Sequence, residues 1–229
     1  MPRPSQGIDQ ALLRSGLALL PQLGCAGLSV RRVAEHAGVN PAMFHYHFGN
    51  KAAFLQAVLQ QLYEQMFAQL SAGASRDGPV LDRLHATLVT LAGFVRKHHV
   101  LVGRLAIDAA NGEAVVHDFV RANAPRHLGL LMQLMAEAEA AGVLLPAPPL
   151  QRFVFLMGAV LAPMLVAPAV AALGVAPALV GTAVQAQVLS DEAIEQRVRL
   201  ALGAWRVTPT ASTAPIASTA RAARPRKKT

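Results

Sequence analysis

The stretch Ser29–Lys51, SVRRVAEHAGVNPAMFHYHFGNK, determines how the rest of the chain is interpreted. It predicts two short helices that meet at a tight turn. Ser29 is placed to cap the first helix, Val30–Ala37, because its hydroxyl can accept hydrogen bonds from the free amides of the first turn. Gly38 can then adopt the positive φ that ends a helix without strain.

The second helix of the pair begins with Asn40 and Pro41, an N-cap followed by a residue whose φ already suits a helix, and it runs through Phe48. Phe44 and Phe48 fall on one face. The side chains that point elsewhere or lie at the flanks are Ala42, Met43, His45, Tyr46 and His47. Exposed hydrogen-bonding side chains on the second helix of such a pair are typical of a helix-turn-helix, which presents that helix to the major groove of DNA.

Composition favours a globular all-α chain. Of its 229 residues 53% are hydrophobic and only 5% aromatic, and strand-like alternation is hard to find. The single cysteine excludes an internal disulfide framework and fits a reducing compartment. The N-terminal residues do not form a secretory signal, so we expect a cytoplasmic protein.

The net charge of +8 is concentrated at the two ends of the chain. Residues 1–51 hold five basic and two acidic side chains, and residues 207–229 hold five basic and none acidic, so the residues between them are neutral overall. Positive charge near the helix pair indicates an anionic partner, for which nucleic acid is the simplest candidate. The basic tail could also serve only to keep the chain soluble.

Helix-ending residues divide the chain into four segments. They are an arm at 1–6, a helix-turn-helix domain at 7–70, a helical domain at 71–206, and a disordered basic tail at 207–229. The helices expected outside the pair cover 7–23, with a kink or early end at Pro21, then 51–70, 80–100, 101–110, 113–141, 151–173 and 191–206.

The segment Leu28–Val58, LSVRRVAEHAGVNPAMFHYHFGNKAAFLQAV, resembles the N-terminal DNA-binding domain of TetR-family transcriptional regulators. The resemblance covers residues 7–59 by motif and the remainder, to about residue 206, by architecture. It implies phosphate contacts by Arg31 and Lys51, base-edge positions for Pro41, Ala42, Met43 and His45, and backbone or base contacts by Tyr46 and His47. The chain departs from the family at His45, where a tyrosine is usual, and at Met43, where a small or hydroxyl residue is usual. Base preference is therefore not carried over.

The same resemblance implies a ligand-responsive repressor that binds a palindromic operator as a homodimer and is released by a small apolar effector. The dimer would form through helices near 151–173 and 190–206. The side chains expected to line the effector pocket are Leu91, Phe94, Met132, Met135, Phe153 and Met157, with Asp108, Asn123 and His127 as polar anchors. The alternative for these residues is plain core, since Met and Phe at helical spacing are common there.

The segment Phe153–Leu173 supports a competing interpretation, because 21 residues without a charge could span a bilayer. On that interpretation the chain is a membrane-associated helical interaction protein that uses this segment and its basic tail. Pro163 and Pro168 count against it, as does the lack of a basic flank beyond Arg152. A penultimate helix buried in a dimeric four-helix bundle would be equally apolar.

No pattern in the sequence favours catalysis or a bound cofactor. The five histidines beyond residue 80 form no metal-ligand motif; they are His85, His98, His99, His117 and His127. Nucleophile elbows, phosphate-binding glycine loops and paired catalytic carboxylates are also missing. We therefore expect neither an enzyme nor a metal or cofactor site.

Overall fold

The computed structural model describes residues 4–172 and 182–207. In chain order the helices are α1 (Pro4–Gly27), α2 (Val30–Ala37), α3 (Pro41–Phe48), α4 (Lys51–Ala74), α5 (Val80–Lys97), α6 (His99–Ala110), α7 (Ala114–Ala140), α8 (Pro149–Ala172) and α9 (Asp191–Gly203), with a π-helical turn at Gln185–Leu189 before α9. Over these residues the only β pairing is an isolated bridge between Leu144 and Arg206. The all-α class is confirmed.

The helix pair α2–α3 has the bounds that the sequence predicted, and the capping residues explain why. The Ser29 hydroxyl accepts a hydrogen bond from the Arg32 amide at 3.3 Å, and Gly38 ends α2 with φ at 68°. The Asn40 side chain accepts from the Ala42 amide at 2.9 Å. Local chemistry is therefore sufficient to fix both ends of the turn.

Helix α1 differs from the prediction at both ends. It begins at Pro4, so residues 4–6 of the expected arm are helical, and it continues past Pro21 to an irregular residue at Gly24, whose φ is 67°. Leu20 and Cys25, on either side of the proline, are both fully buried. Tertiary packing of these two side chains holds the chain in a helical path that the proline alone would interrupt.

The junction of α5 and α6 differs from the prediction. Helix α5 ends at Lys97, and α6 begins at His99, because His98 leaves the helical region with φ at −113°. Helix α7 is one helix through Pro125, as predicted. Between α8 and α9, residues 173–181 lie outside the described residues, and residues 182–189 are helical. Almost all of the predicted basic tail also lies outside the described residues.

Two hydrophobic cores share helix α4. The first packs α1, α2 and α3 against the N-terminal half of α4 and against Leu101 of α6 and Val116 of α7. The second packs the C-terminal half of α4 with α5, α7, α8 and α9. Because one continuous helix contributes to both, the helix-turn-helix and the larger helical layer are tied together by buried side chains.

Helix α3 offers a matched test of this packing. Phe44 is fully buried, whereas Tyr46, two residues along the same helix, is 76% exposed. We expect Phe44→Ala to lower the free energy of unfolding by about 3–5 kcal/mol, as for other large core truncations, and Tyr46→Ala to change it by less than about 0.5 kcal/mol. Urea unfolding followed by circular dichroism measures both. Equal effects would mean that α3 is not anchored through Phe44.

Candidate nucleic-acid interface and effector cavity

An aromatic cluster anchors α3. The ring of Phe44 lies 4.8 Å from that of Phe54 on α4 and 5.7 Å from that of Phe48, measured between centroids. Phe48 in turn packs edge-on against Phe54 at 5.0 Å. One face of the helix is thereby fixed against α4, and the opposite face is left to solvent.

The residues predicted to contact DNA all lie on this pair of helices or at the start of α4. Exposed among them are Arg31, Pro41, Ala42, His45 and Tyr46, and half-buried are Met43, His47 and Lys51. Within the described part of the chain the Arg31 guanidinium has no hydrogen bond or ion pair. Its charge is therefore free to meet an external anion.

Two of these side chains are held by the fold. The Lys51 ammonium donates to the backbone carbonyl of Ala26 at 2.9 Å, which ties the start of α4 to the end of α1. An ammonium has two further N–H groups, so this bond does not prevent contact with a phosphate. The His45 ring places Nδ1 3.0 Å from the Gly49 carbonyl. Because a carbonyl only accepts, Nδ1 carries the hydrogen, and Nε2 of the neutral ring is an acceptor.

A cavity of about 420 Å³ lies between α4, α5, α6, α7 and α8. Its walls are mainly leucine, valine, phenylalanine and methionine side chains. Six of the nine residues predicted for an effector pocket line it, namely Leu91, Phe94, Asn123, His127, Phe153 and Met157. The volume is within the range of small-molecule sites.

The other three predicted pocket residues lie elsewhere. Met135 is buried in the second core and Met132 packs against that core, so both follow the plain-core alternative. Asp108 is also buried, but it faces α1 and not the cavity. Helical spacing placed these residues on plausible faces, but it could not tell which neighbour each face meets.

Polar contacts at one wall of the cavity involve two α4 residues that sequence reasoning missed, Gln60 and Tyr63. Gln60 and Asn123 exchange hydrogen bonds through their amide groups at 3.1 and 3.0 Å. The Tyr63 hydroxyl donates to the Asn123 carbonyl at 2.7 Å and lies 3.3 Å from His127 Nδ1. The sequence offered one indication of this contact: Tyr63 is one of only two tyrosines, and it lies four residues after Leu59, on the buried face of α4.

A second polar group joins α6 to the end of α1. The Asp108 carboxylate accepts from the Cys25 amide at 2.8 Å and pairs with Arg104 at 3.3 Å, and Arg104 also donates to the Leu23 carbonyl. Gly24 is needed between them, because its φ is positive and a Cβ there would lie 2.2 Å from the Arg104 guanidinium. Burial, together with Asp108, raises the pKa of Cys25 to about 12, so the thiol stays protonated.

Helix α8 leaves a stripe of apolar residues exposed. Every fourth residue from Leu150 to Val170 is solvent-facing, namely Leu150, Val154, Gly158, Ala162, Val166 and Val170. The span Pro149–Ala171 is long and apolar enough to cross a membrane, with a mean hydropathy of 2.3, and 17% of it is buried. A core helix of one protomer would be covered far more completely.

Among the described residues no group of three His, Cys, Asp or Glu side chains is arranged to hold a metal ion.

Comparison with known proteins finds a sequence likeness that is confined to the N-terminal part of the chain. Residues 12–58 match the family model described as bacterial regulatory proteins, tetR family. The tetracycline repressor protein class C of Escherichia coli is 40% identical over 53 residues, which is 23% of this chain and 24% of that protein. The HTH-type transcriptional regulator BetI of Brucella anthropi is 27% identical over 77 residues, 34% of this chain and 40% of that protein. The chain thus matches well under half the length of these relatives.

Solved structures extend the likeness to the whole fold. A TetR-family transcriptional regulator from Agrobacterium tumefaciens superposes with a TM-score of 0.67 at 17% identity, covering 89% of this chain and all of that one. A TetR-family regulator from Marinobacter aquaeolei VT8 gives 0.62 at 18% identity, covering 90% and 99%. At this identity the likeness concerns the arrangement of the helices.

Proposed function

We propose that this chain, a TetR-family transcriptional regulator by its N-terminal domain, is a cytoplasmic homodimeric repressor that binds a palindromic operator and is released by a small apolar effector. The observation that carries the proposal is the combination of an exposed recognition face on α3 with an apolar cavity in the same set of packed helices. The first suits the reading of DNA, and the second suits the binding of a small molecule.

The DNA contact is argued from exposure and charge. Arg31 is exposed and unpaired among the described residues, and Lys51 lies at the N-terminus of α4, where the helix dipole also favours a phosphate. His45 and Tyr46 project from α3 into solvent. Charged groups would fix the position of the protein on the duplex, and the α3 side chains would read base edges.

The double variant Arg31→Ala/Lys51→Ala should weaken binding to every DNA sequence. For each phosphate that is no longer neutralised, the slope of log affinity against log salt concentration should become shallower by about one unit. Fluorescence anisotropy over a salt series measures this. The single variant Lys51→Met, in which Arg31 is unchanged, measures the effect of removing one charge. Because Lys51 also donates to the Ala26 carbonyl, circular dichroism is used to verify that both variants fold. An unchanged slope in the double variant would refute the assigned docking.

Met43→Ala and His45→Ala test base contacts, in contrast to the phosphate contacts that the double variant tests. Both side chains lie on α3, and neither carries a fixed charge, so the salt slope should stay near that of the wild type while base preference changes. Selection of bound DNA from a random pool, carried out for each variant, measures the preference. A side chain that no longer discriminates at one base position should cost about 1–3 kcal/mol for the affected base pair. An identical selected sequence from all proteins would show that these side chains do not contact bases.

The exposed stripe on α8 supports the homodimer. Residues four apart form a ridge inclined by about 26° to the helix axis, and the ridges of two identical helices can interdigitate. The small residues Gly158 and Ala162 at the middle of the stripe would let the two helices approach closely, and Leu200 on α9, 68% exposed, adds apolar surface. A dimer would place two α3 helices about 34–36 Å apart, the length of one turn of DNA.

Val154→Asp/Val166→Asp should convert the dimer to monomer, because each protomer would bury two carboxylates in an apolar contact. Sedimentation equilibrium measures the mass. Ile107→Asp is the matched control, since Ile107 is also more than half exposed but lies on α6, away from the stripe. A wild-type protein that needs detergent to stay in solution would instead favour the membrane-associated alternative.

The structure offers a route from the cavity to the DNA-binding helices. Leu101, Val102 and Leu105 of α6 line the cavity, and Asp108 of the same helix accepts the hydrogen bond from Cys25 at the end of α1. This is a second connection besides helix α4, which belongs to both cores. A ligand that shifts α6 would move α1, provided that it binds the DNA-free form more tightly.

Coupling between two sites acts equally in both directions, so it can be tested with DNA alone, without an effector. If the two sites are coupled, binding of the selected duplex must also act on the cavity. We expect hydrogen exchange of the α6 amides near the cavity to change when DNA is added to the wild type, and to change much less in Asp108→Asn. Gln133→Ala, an exposed change on α7, is the control. The same response in wild type and Asp108→Asn would exclude this route.

A further inference from the structure

The polar groups of the cavity define what kind of molecule it can hold. Its lining contains no charged side chain among the described residues, and the side chains with nitrogen or oxygen atoms are Tyr63, Asn123 and His127. A charged ligand would lose its hydration without a counter-charge, at a cost of several kcal/mol or more. The state of these three side chains therefore decides what a neutral ligand could bond to.

Asn123 has no hydrogen-bonding capacity to spare on its amide nitrogen. Its two N–H groups donate to Gln60 Oε1 and to the Phe119 carbonyl, each at 3.0 Å. Its Oδ1 accepts from Gln60 Nε2 at 3.1 Å. The side chain is thus held by α4 and by its own helix, and it acts as a support for the wall.

The direction of the next bonds fixes the His127 tautomer. The Tyr63 hydroxyl must donate to the Asn123 carbonyl, because a carbonyl can only accept. The Tyr63 oxygen, with its hydrogen committed, accepts from His127 Nδ1 at 3.3 Å. The hydrogen of neutral His127 therefore sits on Nδ1, and Nε2 is a lone-pair acceptor with no partner among the described residues.

Burial favours the neutral form of both Tyr63 and His127. It raises the pKa of Tyr63, which keeps the phenol protonated, and it lowers the pKa of His127, which keeps the imidazole neutral. The three polar side chains therefore offer a ligand no free N–H or O–H group, and His127 Nε2 is an acceptor without a partner among the described residues.

We propose that the cavity takes a neutral, mostly apolar molecule with one hydroxyl group, which donates a hydrogen bond to His127 Nε2. The inference rests on the proposed function in treating the cavity as the effector site. The volume of about 420 Å³ is within the range of small-molecule sites. A carboxylate would face the Nε2 lone pair, and an ether would leave that lone pair unsatisfied.

Four probes of similar length separate these possibilities: 1-decanol, decyl methyl ether, decanoate and decylammonium. Isothermal titration calorimetry with the full chain at mildly alkaline pH should rank 1-decanol first, about twofold to tenfold tighter than the ether, the range of one net hydrogen bond. In His127→Phe the alcohol should lose that advantage while the ether keeps its affinity. Gln133→Ala, which changes an exposed residue outside the cavity, should leave the ratio as in the wild type.

Equal affinity for alcohol and ether in the wild type would overturn the inference, as would tighter binding of either ion or no binding of any probe. The wild-type series decides even if His127→Phe does not fold. Operator binding in the presence of 1-decanol is measured separately. Preference for the alcohol without any effect on DNA binding supports the ligand class and counts against the effector role. Salt-sensitive DNA binding without alcohol preference supports the DNA-binding part of the proposed function and counts against the ligand class.

Discussion

Burial of both halves of helix α4 is the constraint on which the rest of the structure depends. Phe54, Leu55 and Val58 belong to the core that holds the helix-turn-helix, and Met66 and Leu70 belong to the core of the larger helical layer. Fully burying one such side chain contributes about 1.5–3 kcal/mol, so neither half can be lifted away cheaply. The exposed face of α3 is consequently held in a fixed position relative to the cavity.

Buried polar groups give this apolar framework its specific contacts. Asp108 satisfies the Cys25 amide where α1 becomes irregular, and Gln60 with Asn123 joins α4 to α7. Leaving such a group without its partner costs about 1–3 kcal/mol, which makes each contact a constraint on helix position. His127, which lines the cavity, keeps an Nε2 acceptor that has no partner among the described residues.

Surface composition separates the roles of the two ends of the fold. Around α2 and α3 most of the exposed side chains are charged or can form hydrogen bonds, which suits a hydrated, charged partner. Along α8 they are apolar and spaced by four, which suits a second copy of the same ridge. The proposed dimer would account for the apolar composition that makes this helix resemble a membrane span.

The sequence by itself determined the helical class, both ends of α2 and α3, and the residues that α3 exposes, because Ser29, Gly38, Asn40 and Pro41 act on neighbours within one turn. Six of the nine residues predicted for an effector pocket line one cavity, and their role as a ligand site stays a prediction. Only the tertiary structure carried α1 past Pro21, turned Asp108 toward α1, and brought Tyr63 beside His127. The last two outcomes depend on contacts between residues 83 and 64 positions apart, and no local pattern encodes which helix faces meet.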